Sequence, residues 1–418
     1  RFFKKSFQVC KVLLRLLRKK IMEGTLLLIT GDYAMKKMMG CLLVFLLLSS
    51  PVLAAENIKL GAFFDLSGRA AFIGTPTKLV AEMVVEKINS EGGINGRMIE
   101  LEIGDTEANP AKTASLAKKF IYKDRVTAII GPTLTDTGMS VKKIVHEGKT
   151  PIFMTVGGDP VIMGGEKFGP FDWVFKSPQR SSTAVERLFI YLKEKGLVKV
   201  ALLTAADGFG KDGARWMKKL APQYGIEILV EESFGTRDTD MTAQLTKVKN
   251  FHPQALIAWT IGPAGSILAK NKAQLGIDLP LFQCHGLPDP KYIELAGAAS
   301  EGDRMPATKL MVVDQLADSD PQKAVIQDFV KLYQDKGYAK QFPINTHSGY
   351  AWDAIMMVAN AIKKVGTDAE ALRREIENTA NYVGVSGTYN MTADDHNGLG
   401  VDSMVIVQVK NGKFVLAD

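Results

Sequence analysis

The sequence predicts an α/β protein of two doubly wound lobes with similar designs. Short apolar runs alternate with amphipathic stretches, as strands and helices do in a sheet covered on both faces. That alternation passes along the chain twice. At 418 residues the chain is also longer than one core of ordinary size can serve.

The first series opens with IKLGAFF at 58–64, a short apolar strand running into a loop. From about 74 to 91, Leu79, Val80, Met83, Val84 and Ile88 recur at helical spacing, with Glu82, Glu86 and Lys87 opposite them. Gly92 and Gly93 stop that helix where a left-handed residue is needed. A strand is expected at 98–103. Asn109 and Pro110 then cap a helix whose inner face carries Leu116, Ala117, Phe120 and Ile121. The continuous apolar run 126–130 ends at Gly131-Pro132, as a buried parallel strand does. A helix at about 136–146 and a strand at 151–155 complete the series.

The second series places strands at 198–203, 226–230, 255–259 and 281–282. Helices at 211–220, 240–250 and 264–275 separate them. A boundary is expected near 175–177, ahead of a helix from about Arg180. Residues 346–365 read as another amphipathic helix and 405–409 as a late strand. Periodicity does not assign either to a lobe.

Charge and cysteine usage narrow the function. The formal charge is +7, but residues 1–54 hold 10 Lys/Arg against 2 Asp/Glu. The remainder carries 42 against 43, so no basic footprint for nucleic acid is expected there. Residues 35–54 have the three-part layout of a cleavable secretory signal: Lys36 and Lys37, an apolar stretch, then Val52-Leu53-Ala54. Cleavage is expected after Ala54. That apolar run is shorter than the ~18–20 residues of a membrane span. Residues 1–34, with eight Lys/Arg in the first twenty, are expected to be an upstream extension without structure. Cys284 is then the only cysteine of the exported chain, which excludes an internal disulfide.

Catalytic signatures are missing. Gly208-Phe209-Gly210-Lys211 lacks the spacing and the Ser/Thr of a phosphate loop. There is no G-x-S-x-G elbow and no H-E-x-x-H, and the five His never stand at i,i+4. No enzyme class, metal or cofactor is expected.

Several segments carry a resemblance. They are the Leu66-Ser67-Gly68 loop, GGINGR at 92–97, DTEANP at 105–110, IIGPTLT at 129–135 and GYAWDAIMMVANAI at 349–362. From about Ile58 to the end the chain resembles the leucine/isoleucine/valine-binding family, periplasmic solute-binding proteins of ABC importers. The resemblance implies two Rossmann-like lobes joined by three crossings, with the ligand in the cleft between them. By analogy the first lobe holds 55–176 plus 309–387, and the second 177–308 plus 388–418. It also implies a monomer working by cleft closure in the periplasm and handing a small carboxylate to an inner-membrane ABC permease. The family's usual cysteine pair is replaced by Ala108 and Leu134.

Ligands of open α/β sheets sit beyond the carboxyl ends of strands. That rule places Thr133 and Thr135 at the cleft, Thr135 doubling as a helix N-cap, where hydroxyls and N–H groups suit a carboxylate. The loop holding Thr155, Gly157, Gly158 and Asp159 matches the family segment that grips the ligand through its backbone. From the second lobe, Phe209 and Trp259 align with aromatics that cover it. His285 stands where amino-acid-binding members carry an acid for the ligand ammonium. Either Asp159 or Asp207 replaces that acid, or the ligand has no amine and His285 with Arg69 holds its polar groups. A sensory receptor with a signalling partner and a hydrolase in the same shell are the competing readings.

Overall fold

The computed structural model describes residues 56–418. The extension expected at 1–34 and the leader at 35–54 lie outside them.

A five-stranded parallel sheet comes first. The chain runs β1 (Ile58–Phe64), α1 (Ala71–Ser90), β2 (Ile99–Asp105), α2 (Pro110–Lys118), β3 (Ala128–Ile130), α3 (Thr135–Glu147), β4 (Ile152–Met154) and β5 (Val174–Lys176). Strand order is β2-β1-β3-β4-β5. The α1 helix ends as its glycines require: Gly92 and Gly93 take φ of 101° and 72°, and Gly93 N–H donates to Ile88 O at 2.9 Å. Asn109 caps α2 by accepting Ala111 N–H at 2.9 Å and Lys112 N–H at 3.1 Å. At α3 the expectation is corrected by one residue. Leu134 is the N-cap, with extended backbone, and Thr135 is the first helical residue.

The second sheet has seven strands, ordered β14-β13-β10-β9-β8-β6-β7. It is built by α4 (Ser181–Glu194), β6 (Lys199–Ala205), α5 (Gly208–Tyr224), β7 (Glu227–Phe234), α6 (Thr242–Lys249), β8 (Ala255–Trp259), α7 (Pro263–Gln274), β9 (Leu281–Gln283), α8 (Pro290–Ala296) and β10 (Arg304–Thr308). Gly210 explains how closely α5 follows β6. A Cβ there would stand 2.0 Å from Ala205 O, so only glycine lets the helix start so near the strand.

The chain then returns. After β10 come α9 (Gln322–Asp335), α10 (Tyr350–Val365), which packs on α1, and α11 (Ala369–Glu377). A two-stranded pair, β11 (Tyr382–Val383) with β12 (Thr388–Tyr389), precedes β13 (Met404–Lys410) and β14 (Lys413–Leu416). Strand β13 joins the second sheet antiparallel to β10. The chain therefore passes between the sheets three times. The first and last passages are laced together: Asn397 Nδ2 donates to Lys176 O at 3.1 Å and Pro178 O at 2.8 Å, and Tyr389 Oη to Ser177 O at 2.7 Å. Buried backbone carbonyls outside the ladders thus find side-chain partners.

Candidate functional site

Strands β1, β3 and β4 of one sheet and β6, β8 and β9 of the other end facing a common region. A Cβ on Gly157, after β4, would meet Phe209 Cε2 at 3.0 Å and His285 Nε2 at 3.2 Å. Gly208 N–H, at the start of α5, reaches Asp136 Oδ2 of α3 at 3.4 Å. The carboxyl ends of the strands thus meet there, as an open α/β ligand site requires.

Three rings from the seven-stranded side form a cluster. Phe209 and Trp259 each lie 5.4 Å from His285, and 5.8 Å from one another. His285 is 2% exposed. Neither of its ring nitrogens has a hydrogen-bond partner, nor does Trp259 Nε1. Burial, with Lys176 and His347 nearby, pushes the imidazolium down to about 3, so His285 is neutral at physiological pH. A neutral imidazole has one donor and one acceptor to offer. Buried polar atoms without partners call for an explanation, and a ligand's polar group is one.

The remaining expected residues differ in what their polar groups already hold. Thr135 Oγ1 stands beside Gly158, where a Cβ would come within 2.5 Å of it. Phe209, Trp259, His285, Gly157 and Gly158 share its neighbourhood. Thr133 and Thr155 are buried but committed. Thr133 Oγ1 donates to the Asp65 carboxylate, and Thr155 Oγ1 to Pro132 O at 3.1 Å. Asp207 caps α5 by accepting Gly210 N–H at 2.9 Å. It also lines a cavity of about 250 Å³ with Phe72 and Thr260. Arg69 sits in the short turn Gly68–Ala70, and its side chain lies outside the described residues.

Asp159 does something other than expected. Its oxygens accept Ser181 N–H at 2.6 Å, Ser182 N–H at 3.2 Å and Ser182 Oγ at 2.6 Å. Lys176 Nζ lies 3.8 Å away. The carboxylate faces the first crossing and the start of α4, so it is placed to hold the chain rather than a ligand amine. The Asp159 N–H, expected to face a ligand carboxylate, donates to Asp212 Oδ2 at 2.8 Å. Lys176 and Asp212 were missed by sequence reasoning. One signal was available: a lysine closing the apolar run Val174-Phe175-Lys176 is a charge the fold must bury.

A larger hollow, about 820 Å³, opens among Lys59, Arg97, Tyr122, Arg125 and Lys149. It lies at the amino ends of β1 and β3, and Glu56, Glu100 and Asp124 interleave its cations. Size alone does not make it the site, because no strand carboxyl end points there.

The buried histidines set a pH response. His285 and His347 are held down to about 3 and 4, mainly by burial. Between pH 6.5 and 4 the unfolded chain binds protons that the folded protein refuses, so stability falls as pH falls. Asp303 and Asp353, pushed up by burial to about 7 and 6, act in the opposite direction over an overlapping range. A single-site variant separates the two. Urea denaturation at several pH values should show that His285→Gln removes up to about 1.4 kcal/mol of acid-side loss per pH unit. Parallel wild-type and variant curves between pH 6 and 4 would contradict a neutral, buried His285.

Residues 57–413 match the family model for periplasmic binding proteins. The leucine-, isoleucine-, valine-, threonine- and alanine-binding protein of Pseudomonas aeruginosa is 26% identical over 328 residues, spanning 77% of this chain and 83% of its own length. The Leu/Ile/Val-binding protein BraC3 of Rhizobium johnstonii is 23% identical over 88% of this chain and 95% of its own. Among solved structures, an extracellular ligand-binding receptor from Rhodopseudomonas palustris HaA2 superposes with a TM-score of 0.78 at 24% identity. The match covers 86% of this chain and 99% of that one. The branched-chain amino acid transporter substrate-binding protein LivJ of Streptococcus pneumoniae, solved with isoleucine, gives 0.74 at 24% identity, covering 87% and 99%. The two parallel-sheet lobes are those of the type I periplasmic binding fold.

Proposed function

The chain belongs to the periplasmic binding protein family, and we propose that it is the substrate-binding component of an ABC importer for a small carboxylate without an amine. It works in the periplasm after losing its leader at Ala54, as a monomer that closes on its ligand and docks on an inner-membrane permease. The lobes are taken as 55–176 plus 309–387 and 177–308 plus 388–418.

One observation carries the ligand class: the neutral, unpartnered His285 between Phe209 and Trp259. An ammonium closed against it would lack a counter-charge, which costs about 3–5 kcal/mol by analogy with broken buried pairs. Asp159 is turned to the first crossing and Asp207 caps a helix, so neither carboxylate is assigned to an amine. The Thr135 hydroxyl and the first-turn N–H groups of α3 are donors suited to a carboxylate, with Gly157 and Gly158 allowing close approach. The flanking rings favour an apolar or aromatic body.

Calorimetry with matched pairs tests this: 4-methyl-2-oxopentanoate against leucine, and phenylacetate against phenylalanine. The amine-free partner is expected to bind about a hundredfold to a few thousandfold tighter. His285→Glu should move preference toward the amines. Wild-type preference for the amines, unmoved by His285→Glu, would remove His285 from the site.

A further inference from the structure

At the strand ends, one side chain that need not touch a ligand joins the two layers directly. Asp212, on the second turn of α5, is 2% exposed. Its Oδ2 accepts the Asp159 N–H at 2.8 Å, and its Oδ1 takes Arg215 Nη2 at 2.5 Å. Arg215 continues across the gap, with Nη2 3.2 Å from Met163 Sδ and the guanidinium 5.6 Å from the Phe168 ring. Asp159, Met163 and Phe168 all belong to the loop after β4.

That loop is fixed within its own layer. Lys142 of α3 donates to Pro160 O at 2.8 Å and to Met163 O and Phe168 O at 2.7 Å. Three carbonyls on one buried ammonium shape the loop into a block that presents the Asp159 N–H outward. The Asp159 side chain is committed elsewhere, as described above. This contact between layers is therefore a charged acceptor on α5 meeting a pre-oriented N–H, with Arg215 holding the acid and reaching the same loop.

We propose that Asp212 is a closure latch, joining the layers through a bond that needs no ligand and so setting how much protein is already closed before ligand arrives. A charge-assisted bond of this kind changes a two-state ratio by about tenfold to a hundredfold. Apparent affinity follows the closed fraction, so Asp212 tunes binding as a positioning residue. The proposal rests on the cleft-closing reading above but on no particular ligand.

The test is small-angle scattering of ligand-free protein, stripped of co-purified solute by unfolding and refolding. Wild type is expected to show a smaller radius of gyration than Asp212→Ala, with both unfolding cooperatively. Asp212→Asn keeps an acceptor for the Asp159 N–H without the charge, and its radius should fall between them. Equal radii for wild type and Asp212→Ala overturn the latch. If Asp212→Ala does not fold, Asp212→Asn decides alone: an enlarged radius supports the latch and an unchanged one overturns it. Because no ligand is present, a failure here leaves the ligand reading untouched. Failure of the calorimetry equally leaves the latch untouched.

Discussion

Asp159→Ala is expected to destabilise the protein by about 3–5 kcal/mol, because it strips a buried lysine of its carboxylate. Lys176 closes β5 and is wholly buried, with Nζ 3.8 Å from Asp159. Gly157 O at 2.7 Å and Gln179 O at 3.2 Å are its other close acceptors. Burial already pulls its ammonium down to about 8, with Asp159 and Asp212 opposing that fall. Without Asp159 the ammonium keeps dipoles but loses its nearest charge, and the first N–H groups of α4 lose their cap. Urea midpoints for Asp159→Ala, Lys176→Met and the double variant separate the two losses. The double variant should be less destabilised than the sum of the singles, because an uncompensated charge no longer remains. Strict additivity would mean that Asp159 acts on α4 alone.

This pair also marks the limit of what local sequence reveals. Strand β8 was legible to the residue because its five apolar side chains form one unbroken buried run. Strand β10 was not, since Arg304-Met305-Pro306-Ala307-Thr308 contains a proline that argues against a central strand. The sheet tolerates it because β9 pairs with β10 only at Arg304, so the N–H that Pro306 lacks is not needed on that side. Helix α9 and strand β14 also passed unread. Strand β14 pairs only with β13 through the Asn411-Gly412 turn, and the place of that hairpin is set by β13 pairing with β10 a hundred residues earlier. The ring cluster was reachable through Phe209, Trp259 and His285, aided by family resemblance. Asp212 was hidden because an acid in a charged helix reads as solvated until another layer covers it.

The role of Asp159 links stability to the proposed closure through the first crossing. Its carboxylate orders Ser181 and Ser182 at the start of α4, while its own N–H faces Asp212. One residue therefore stiffens the passage between sheets and presents the contact that joins them. A hinge works by concentrating rotation in a few residues while its neighbours stay fixed. Buried hydrogen bonds on both sides of the crossing supply that fixity.

Asp353→Ala is expected to cost about 3–5 kcal/mol at the other end of the same region, and its pH dependence distinguishes it from an ordinary cavity. Asp353, buried on α10, accepts Val385 N–H and Ser386 N–H, each at 2.8 Å. Removing it orphans two buried amides, at about 1–3 kcal/mol each. Tyr389 Oη lies 2.7 Å from Ser177 O and 3.0 Å from Asp353 Oδ2, yet a phenol has one proton for two acceptors. Below about pH 6, the value to which burial pushes its carboxyl, a protonated Asp353 can supply the second proton. For an acid raised in this way, the folded state holds a proton that the unfolded chain has released. Its contribution is full below about pH 4 and is lost as pH rises through about 6, amounting to about 3 kcal/mol. Asp353→Asn keeps one acceptor and one permanent donor, so it should be milder than Asp353→Ala and should lack the Asp353 share of the pH slope across that window. Denaturation from pH 4 to 7 reads both effects. If Asp353→Asn keeps the wild-type slope, the proton lies elsewhere, and Tyr389 is tied to Ser177 alone.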